Sequence, residues 1–105
     1  MTHYIYFMTN NHNTTLYIGM TNNLMRRVRE HKNAVNKNCF TYQYNCHKIV
    51  YCEESSNIND AITREKQLKN WKRDWKNALV EKDNPNWRDL WDDWFPAGDS
   101  GSSPE

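Results

Sequence analysis

Near the N-terminus, two short aromatic runs flank an asparagine-rich break. His3 to Thr9 is rich in aromatic and branched residues and contains Tyr4-Ile5-Tyr6. Such side chains favour a pleated, half-buried strand. Asn10-Asn11-His12-Asn13 is turn material, because asparagine side chains bond their own backbone and tolerate left-handed geometry. Thr15 to Gly19 reads as the return strand of a hairpin and ends in Tyr17-Ile18-Gly19, which puts Tyr6 and Tyr17 on adjacent strands. Gly19 then releases the chain toward a helix. Thr21, Asn22 or Asn23 can cap that helix by accepting backbone N–H bonds, and Leu24 and Val28 lie one turn apart on its buried face.

Residues 39–54 contain a third strand region, clearest over Lys48 to Glu53, where strand alternation sets Ile49 and Tyr51 on one face. Ser55-Ser56-Asn57 breaks it. Asn59 or Asp60 can cap a second helix whose apolar stripe is Ala61, Ile62, Leu68 and Trp71. Trp75, Ala78 and Leu79 carry the helical pattern on to about residue 81, straight or across a kink. Asp83-Asn84-Pro85 ends it, since the residue before proline is pushed out of the helical region. Pro85 suits the first turn of a last short helix, in which Trp87, Leu90, Trp91 and Trp94 recur at helical spacing. The polar run 96–105 reads as a disordered tail, leaving residues 1–95 as the folded domain.

A chain of 105 residues is one domain with a compact core, to which five tryptophans, six tyrosines and three phenylalanines bring large apolar area. No apolar run approaches the ~20 residues of a membrane span, and the N-terminus lacks the layout of a secretory signal. The expectation is a soluble, cytoplasmic protein. Cys39, Cys46 and Cys52 fit neither a disulfide framework nor a paired zinc motif, and His47 beside Cys46 does not complete four ligands. They read as half-buried thiols of a reducing compartment. The net charge of +1 hides an asymmetry: residues 1–80 hold twelve Lys/Arg against six Asp/Glu, a balance of +6, and residues 81–105 hold two against seven, a balance of −5. Arg64, Lys66, Lys69, Lys72, Arg73 and Lys76 crowd the stretch 64–76, which is either a solvated helix face or a patch that neutralises phosphates.

Several residues can carry chemistry. Arg27 and His31 are four apart and share the flank of the first helix. A guanidinium there can grip a phosphate bidentately and stabilise charge building on it; Arg26 is the competing, more solvent-facing candidate. His31 is either a proton relay or phosphate contact, or a surface histidine. Glu65 sits beside its helix's apolar stripe, where a carboxylate losing water needs a cation. That cation is Arg64, Lys69 or an arginine of the first helix, or else a divalent metal such as Mg²⁺, which commonly takes one or two carboxylates with waters and phosphate oxygens. Tyr6 and Tyr17 are either core rings with satisfied hydroxyls or site groups.

Taken in order and spacing, Tyr4-Ile5-Tyr6, Tyr17-Ile18-Gly19, Asn23-Leu24-Met25-Arg26-Arg27-Val28, His31, Arg64-Glu65-Lys66-Gln67-Leu68-Lys69 and Asn84-Pro85 resemble the GIY-YIG endonuclease superfamily. The likeness is to its small single-domain members, which are related to the N-terminal nuclease domain of the excision-repair nuclease. The resemblance implies an α/β fold: a small, mainly antiparallel sheet of three strands flanked by helices. It implies a Mg²⁺- or Mn²⁺-dependent endonuclease acting on DNA in a structure- or repair-related role, with RNA also open. Glu65 would be the metal ligand, Arg27 the transition-state cation, and Tyr6 the group that positions or deprotonates the attacking water. Tyr17 would order the site, His31 fills a place that some relatives give to tyrosine, and Asn84 holds hydrogen bonds of the site or caps the last helix. A tyrosine base needs its pKa of ~10 lowered, which Arg27 and the metal would do. Lys66, Lys69, Lys72, Arg73 and Lys76 would hold the nucleic-acid backbone.

Two departures stand out. Tyr4 replaces the usual first glycine, and Met20 follows Gly19 where some members carry lysine, so a cation is missing unless His31 or Lys32 stands in. Two other readings compete: a binding module of the same fold without turnover, and a protein-interaction domain built on Trp87, Trp91 and Trp94 alternating with Asp89, Asp92 and Asp93. Against the second stands the simpler role of those rings in closing the core.

Overall fold

A computed structural model describes residues 2–33 and 46–95. In chain order the elements are β1 (His3–Thr9), β2 (Leu16–Thr21), α1 (Leu24–Asn33), β3 (Lys48–Ser55), α2 (Ile58–Asn70), α3 (Arg73–Asp83) and α4 (Leu90–Trp94). The three strands form one antiparallel sheet in the order β2-β1-β3, with β1 in the centre. This is the α/β architecture expected. Among the described residues no helix is long and apolar enough to cross a membrane.

Because β1 is covered on both faces, its alternation sorts the core into two layers. Ile5 and Phe7 face one side and pack with Ile18, Ala61, Leu68, Val80 and Trp87, so α2 and α3 cover that face. Tyr6 and Met8 face the other and pack with Leu24, Val28, Cys46 and Ile49, under α1 and α4. Both layers converge on β1, whose residues Ile5 to Thr9 are all buried.

Several local expectations are corrected. Gly19 does not end β2: it pairs with Tyr6, and Met20 and Thr21 continue the ladder to Ile5 and Tyr4. Ile49 and Tyr51 do not share a face. Met8 pairs with Ile49 and Phe7 with Tyr51, so Val50 is an extra residue in β3 and the strand switches sides there. Ile49 joins the Tyr6 layer, while Val50 and Tyr51 join the Phe7 layer. The cap of α2 is Asn57, whose side chain accepts from Asn59 and Asp60 N–H, and not Asn59 or Asp60 itself. Of the straight and kinked forms expected past Trp71, the run takes the interrupted one: it is two helices, because Trp71 and Lys72 both take extended backbone, with ψ of 152° and 153°.

Pro85 lies between α3 and α4, and Trp87 precedes α4 with a left-handed φ of 55°, so the tryptophans form no single stripe. Trp87 joins the Phe7 layer, and Trp91 and Trp94 pack on the Tyr6 layer, so these rings do close the core. Cys46 is buried and Cys52 half-buried. Cys39 and the expected tail over 96–105 lie outside the described residues.

Candidate active site

The hairpin register builds the centre of the site. Tyr6 points from β1 onto the α1 face and sits opposite Gly19, while Tyr17 of β2 pairs with Met8 and leans diagonally toward Tyr6. The two rings lie 6.1 Å apart. Gly19 makes this packing achievable: a Cβ there would come within 2.6 Å of the Tyr6 ring and hydroxyl and 2.9 Å of the Tyr17 ring. The glycine is thus required by close approach and not by a turn.

Helix α1 delivers the two other groups. Asn23 caps it through Oδ1, which accepts the Arg26 N–H at 3.2 Å, and Thr21 Oγ1 accepts the Asn23 N–H at 3.0 Å. With Leu24 and Val28 buried against the sheet, Arg27 and His31 fall on the flank above the tyrosines. His31 is buried, 4% exposed, and its Nε2 lies 3.0 Å from the Tyr6 hydroxyl. Its ring also stands 5.5 Å from that of Tyr17. His31 is therefore a buried histidine packed between the two tyrosines and not a surface one. The Arg27 guanidinium meets Glu30 at 3.1 Å and stands close enough to the Tyr6 hydroxyl to bear on its ionisation. Arg26 is the solvent-facing neighbour, its side chain 63% exposed. Reasoning from the sequence misses Glu30; its place three residues after Arg27 is the signal that points to it.

The electrostatics of the cluster are set chiefly by burial. Burial, with Tyr17 adding to it, pushes the Tyr6 phenol above its ordinary value, against the pull of Arg27. The expected lowering by Arg27 exists but is outweighed, because the phenolate would have to form with little water around it. Burial first, and Arg27 second, draw the His31 imidazole down to about 4. Burial also works against the Arg27 charge, but the Tyr6 hydroxyl and the Glu30 carboxylate nearby prevail and hold it above its ordinary value. A protonated phenol beside a neutral imidazole sets two arrangements for this contact: the Tyr6 hydroxyl donates to a bare His31 Nε2, or a protonated Nε2 donates to the hydroxyl oxygen.

Glu65 arrives from elsewhere. It stands on α2, in the layer covering the opposite face of the sheet, and its half-buried carboxylate, 19% exposed, meets Lys69 Nζ at 3.3 Å. Among the described residues no group of three or more His, Cys, Asp or Glu is placed to hold a metal. One carboxylate of this kind does not form a closed cage. It fits a hard divalent cation that keeps several waters and takes the rest of its oxygens from a phosphate.

Asn84 is buried, and its side chain is spent on backbone: Nδ2 donates to Val50 O and Arg88 O, and Oδ1 accepts the Arg88 N–H. It ties the turn after α3 to β3. The cap of α4 is Asp89, not Asn84. Of the five basic residues expected to hold a backbone, Lys66, Lys69 and Lys72 are exposed on α2 and the step after it. Arg73 is committed to Asn13 O and Thr14 O of the β1–β2 turn, and Lys76 bonds Lys69 O. Lys32 does not replace the missing lysine, since its ammonium is held by His47 O and the Asp89 carboxylate.

Residues 2–78 match the description of a GIY-YIG catalytic domain. Among solved structures, the chain is similar to the solution NMR structure of a UPF0213 protein from Bacillus halodurans, with 21% identity, a TM-score of 0.55, and coverage of 88% of this chain and 96% of that one. That likeness is one of fold. No curated protein matches the chain. GIY-YIG domains are in general nuclease domains that use divalent metals and act on nucleic acid. With the paired tyrosines, the helix-borne arginine and the matching span of 77 residues, this chain belongs to the GIY-YIG family.

Proposed function

We propose that the protein is a divalent-metal-dependent endonuclease that hydrolyses phosphodiester bonds in DNA, in a structure-selective or repair role, with Mg²⁺ as its metal and Mn²⁺ as substitute. The observation that carries this reading is the buried Tyr6–His31 pair, 3.0 Å apart on one face of the sheet, with the Arg27 guanidinium near enough to bear on the ionisation of both. Such a set offers a hydroxyl to orient an attacking water, a neutral base and a fixed cation.

In this reading Tyr6 accepts a hydrogen bond from water on its oxygen lone pair while donating its own proton to His31 Nε2. As the water attacks, its proton passes to Tyr6 oxygen and the Tyr6 proton passes to His31, so no free phenolate forms. This suits a phenol whose burial opposes ionisation and an imidazole that is neutral at physiological pH. Arg27 holds a non-bridging phosphate oxygen and stabilises the charge that grows there. Glu65 would hold the metal, which when bound supplies Lewis-acid stabilisation of the phosphate and leaving oxygens. Lys69, released from Glu65, turns to the nucleic-acid backbone with Lys66 and Lys72. Tyr17 and Gly19 fix the position of the Tyr6 ring.

The test is cleavage of labelled duplex, branched, flapped and single-stranded DNAs, with an RNA control, in Mg²⁺ or Mn²⁺. Parent protein runs beside Glu65→Ala after both give the same circular dichroism. Metal-dependent cuts that vanish in the variant support the reading. Absence of cutting by either protein, with binding retained, moves the non-cleaving binding module to the front.

A further inference from the structure

The sequence pattern assigns Trp75 to an apolar helical run, yet its side chain ends up 55% exposed, the most exposed of the large apolar residues described. The break at Trp71–Lys72 rotates α3 away from the stripe of α2 and turns this ring outward. It is not loose. Trp75 packs edge-on against Trp71, with ring centres 5.9 Å apart and planes at 85°. Trp71 is itself half-buried against the Phe7 layer, and the Arg64 guanidinium stands 5.4 Å from its ring centre. Arg64 in turn is fixed to Glu53 by bonds of 2.7 and 3.3 Å. The exposed indole therefore rests on a buttressed base, and exposed Lys72 lies one turn before it, its carbonyl accepting the Trp75 N–H at 3.0 Å.

A rigid exposed ring among exposed ammonium groups has the chemistry of a strand-binding platform: the π-face stacks on an unpaired base and the cations meet the flanking phosphates. Duplex DNA keeps its bases stacked and offers such a ring nothing. We infer that Trp75, seated on Trp71, is a stacking site for an unpaired base in a single-stranded segment of the nucleic-acid substrate. The site deepens the nuclease reading and rests on it. Glu65 and Trp71 are six residues apart along α2, ~9 Å at 1.5 Å per residue, or roughly three base steps of a stacked strand at ~3.4 Å each. The platform thus grips the strand a few nucleotides from the phosphate to be cut. Charge complementarity favours this occupant over an apolar protein surface, because exposed Lys72 lies one turn before Trp75 and Lys76, next to it in the chain, meets the carbonyl of exposed Lys69.

The experiment is equilibrium binding of a labelled single-stranded oligonucleotide and of a blunt duplex of equal length, without divalent metal, by the full chain and by Trp75→Ala and Trp75→Phe. With the ring this exposed, neither variant loses core packing, and matched thermal unfolding checks that. Trp75→Ala should weaken single-strand binding about tenfold, leave duplex binding within about twofold, and be largely rescued by Trp75→Phe. Unchanged single-strand binding by Trp75→Ala overturns the platform and returns the ring to a protein partner, while leaving the nuclease reading in place. An equal loss on both DNAs overturns it too. Failure of the parent to bind either DNA instead sinks the nuclease reading on which it rests.

Discussion

At the scale of single residues, the proposed mechanism turns on the proton of Tyr6. In the proposed mechanism a phenol that burial keeps protonated serves as a relay and not as a free base, with the buried His31, 3.0 Å away, as its acceptor. Tyr6→Phe should therefore abolish cleavage while keeping the fold. Its stability cost is that of one lost hydrogen bond, on the order of 1 kcal/mol. Full cleavage by Tyr6→Phe would remove the hydroxyl from the mechanism. His31 gives a second handle. Its folded value of about 4 lies below the ordinary 6.5. Between those values the unfolded chain binds the proton and the folded chain does not, so lowering the pH favours unfolding. Stability should be flat above pH ~7, fall through the window from ~6.5 to ~4 by up to about 3 kcal/mol, and level off below it. Urea unfolding at stepped pH measures this directly, and His31→Gln should remove most of the slope. A parent and variant with equal slopes would show that His31 is not the group responsible.

At the scale of elements, the hairpin works because one position has no side chain. Gly19→Ala sets a methyl carbon inside the contact distance of both tyrosine rings. Overpacking of that kind costs on the order of 1–3 kcal/mol, and it should also displace the Tyr6 hydroxyl from His31. The variant should thus lose cleavage out of proportion to its lost stability, as read by parallel activity and denaturation series. A variant that is merely less stable, with full activity at low temperature, would contradict this role. Asn84→Ala separates structure from chemistry in the opposite sense. It strands Val50 O and Arg88 N–H, costs about 2 kcal/mol, and should leave the cleavage rate of the folded fraction near that of the parent.

These elements also mark what can be read from the sequence. The hairpin, the first helix and the flank shared by Arg27 and His31 follow from spacing alone, since periods of two and 3.6 decide which side chains meet. The purpose of Gly19 does not, because the clash it avoids exists only once the register pairs it with Tyr6. The extra residue at Val50 carries no local mark, so simple alternation puts Ile49 and Tyr51 on one face where the folded strand separates them. The break at Trp71–Lys72 contains neither proline nor glycine, and a continuous helical pattern hides it.

For the whole molecule, the charge asymmetry of the chain becomes an asymmetry of use. Much of the acidic end is spent internally: Asp89 binds the Lys32 ammonium and the Ile49 N–H, Glu81 accepts the Trp87 indole N–H, and Asp93 pairs with Arg88. The basic stretch divides in the same way. Arg64 is paired with Glu53, Arg73 holds the β1–β2 turn and Lys76 holds Lys69 O, so the proposed backbone contacts fall to Lys66 and Lys72, with Lys69 joining them once it leaves Glu65. Sequence alone suggests five backbone cations because the run looks like one uniform face, and the turn between α2 and α3 redirects two of them inward. This changes a measurable number. Each neutralised phosphate contributes roughly −0.7 on single strands and roughly −0.9 on duplex DNA to the slope of log K against log salt. Three contacts give a slope of roughly −2 to −3, whereas five give roughly −3.5 to −4.5. Binding measured from low to moderate salt should return the shallower slope, and Lys72→Ala should reduce its magnitude by a little under one. A slope near the steeper range would mean that Arg73 and Lys76 leave their internal partners on binding. In that case Arg73→Ala, which leaves the β1–β2 turn carbonyls without their donor, should flatten the slope as well as lower the stability.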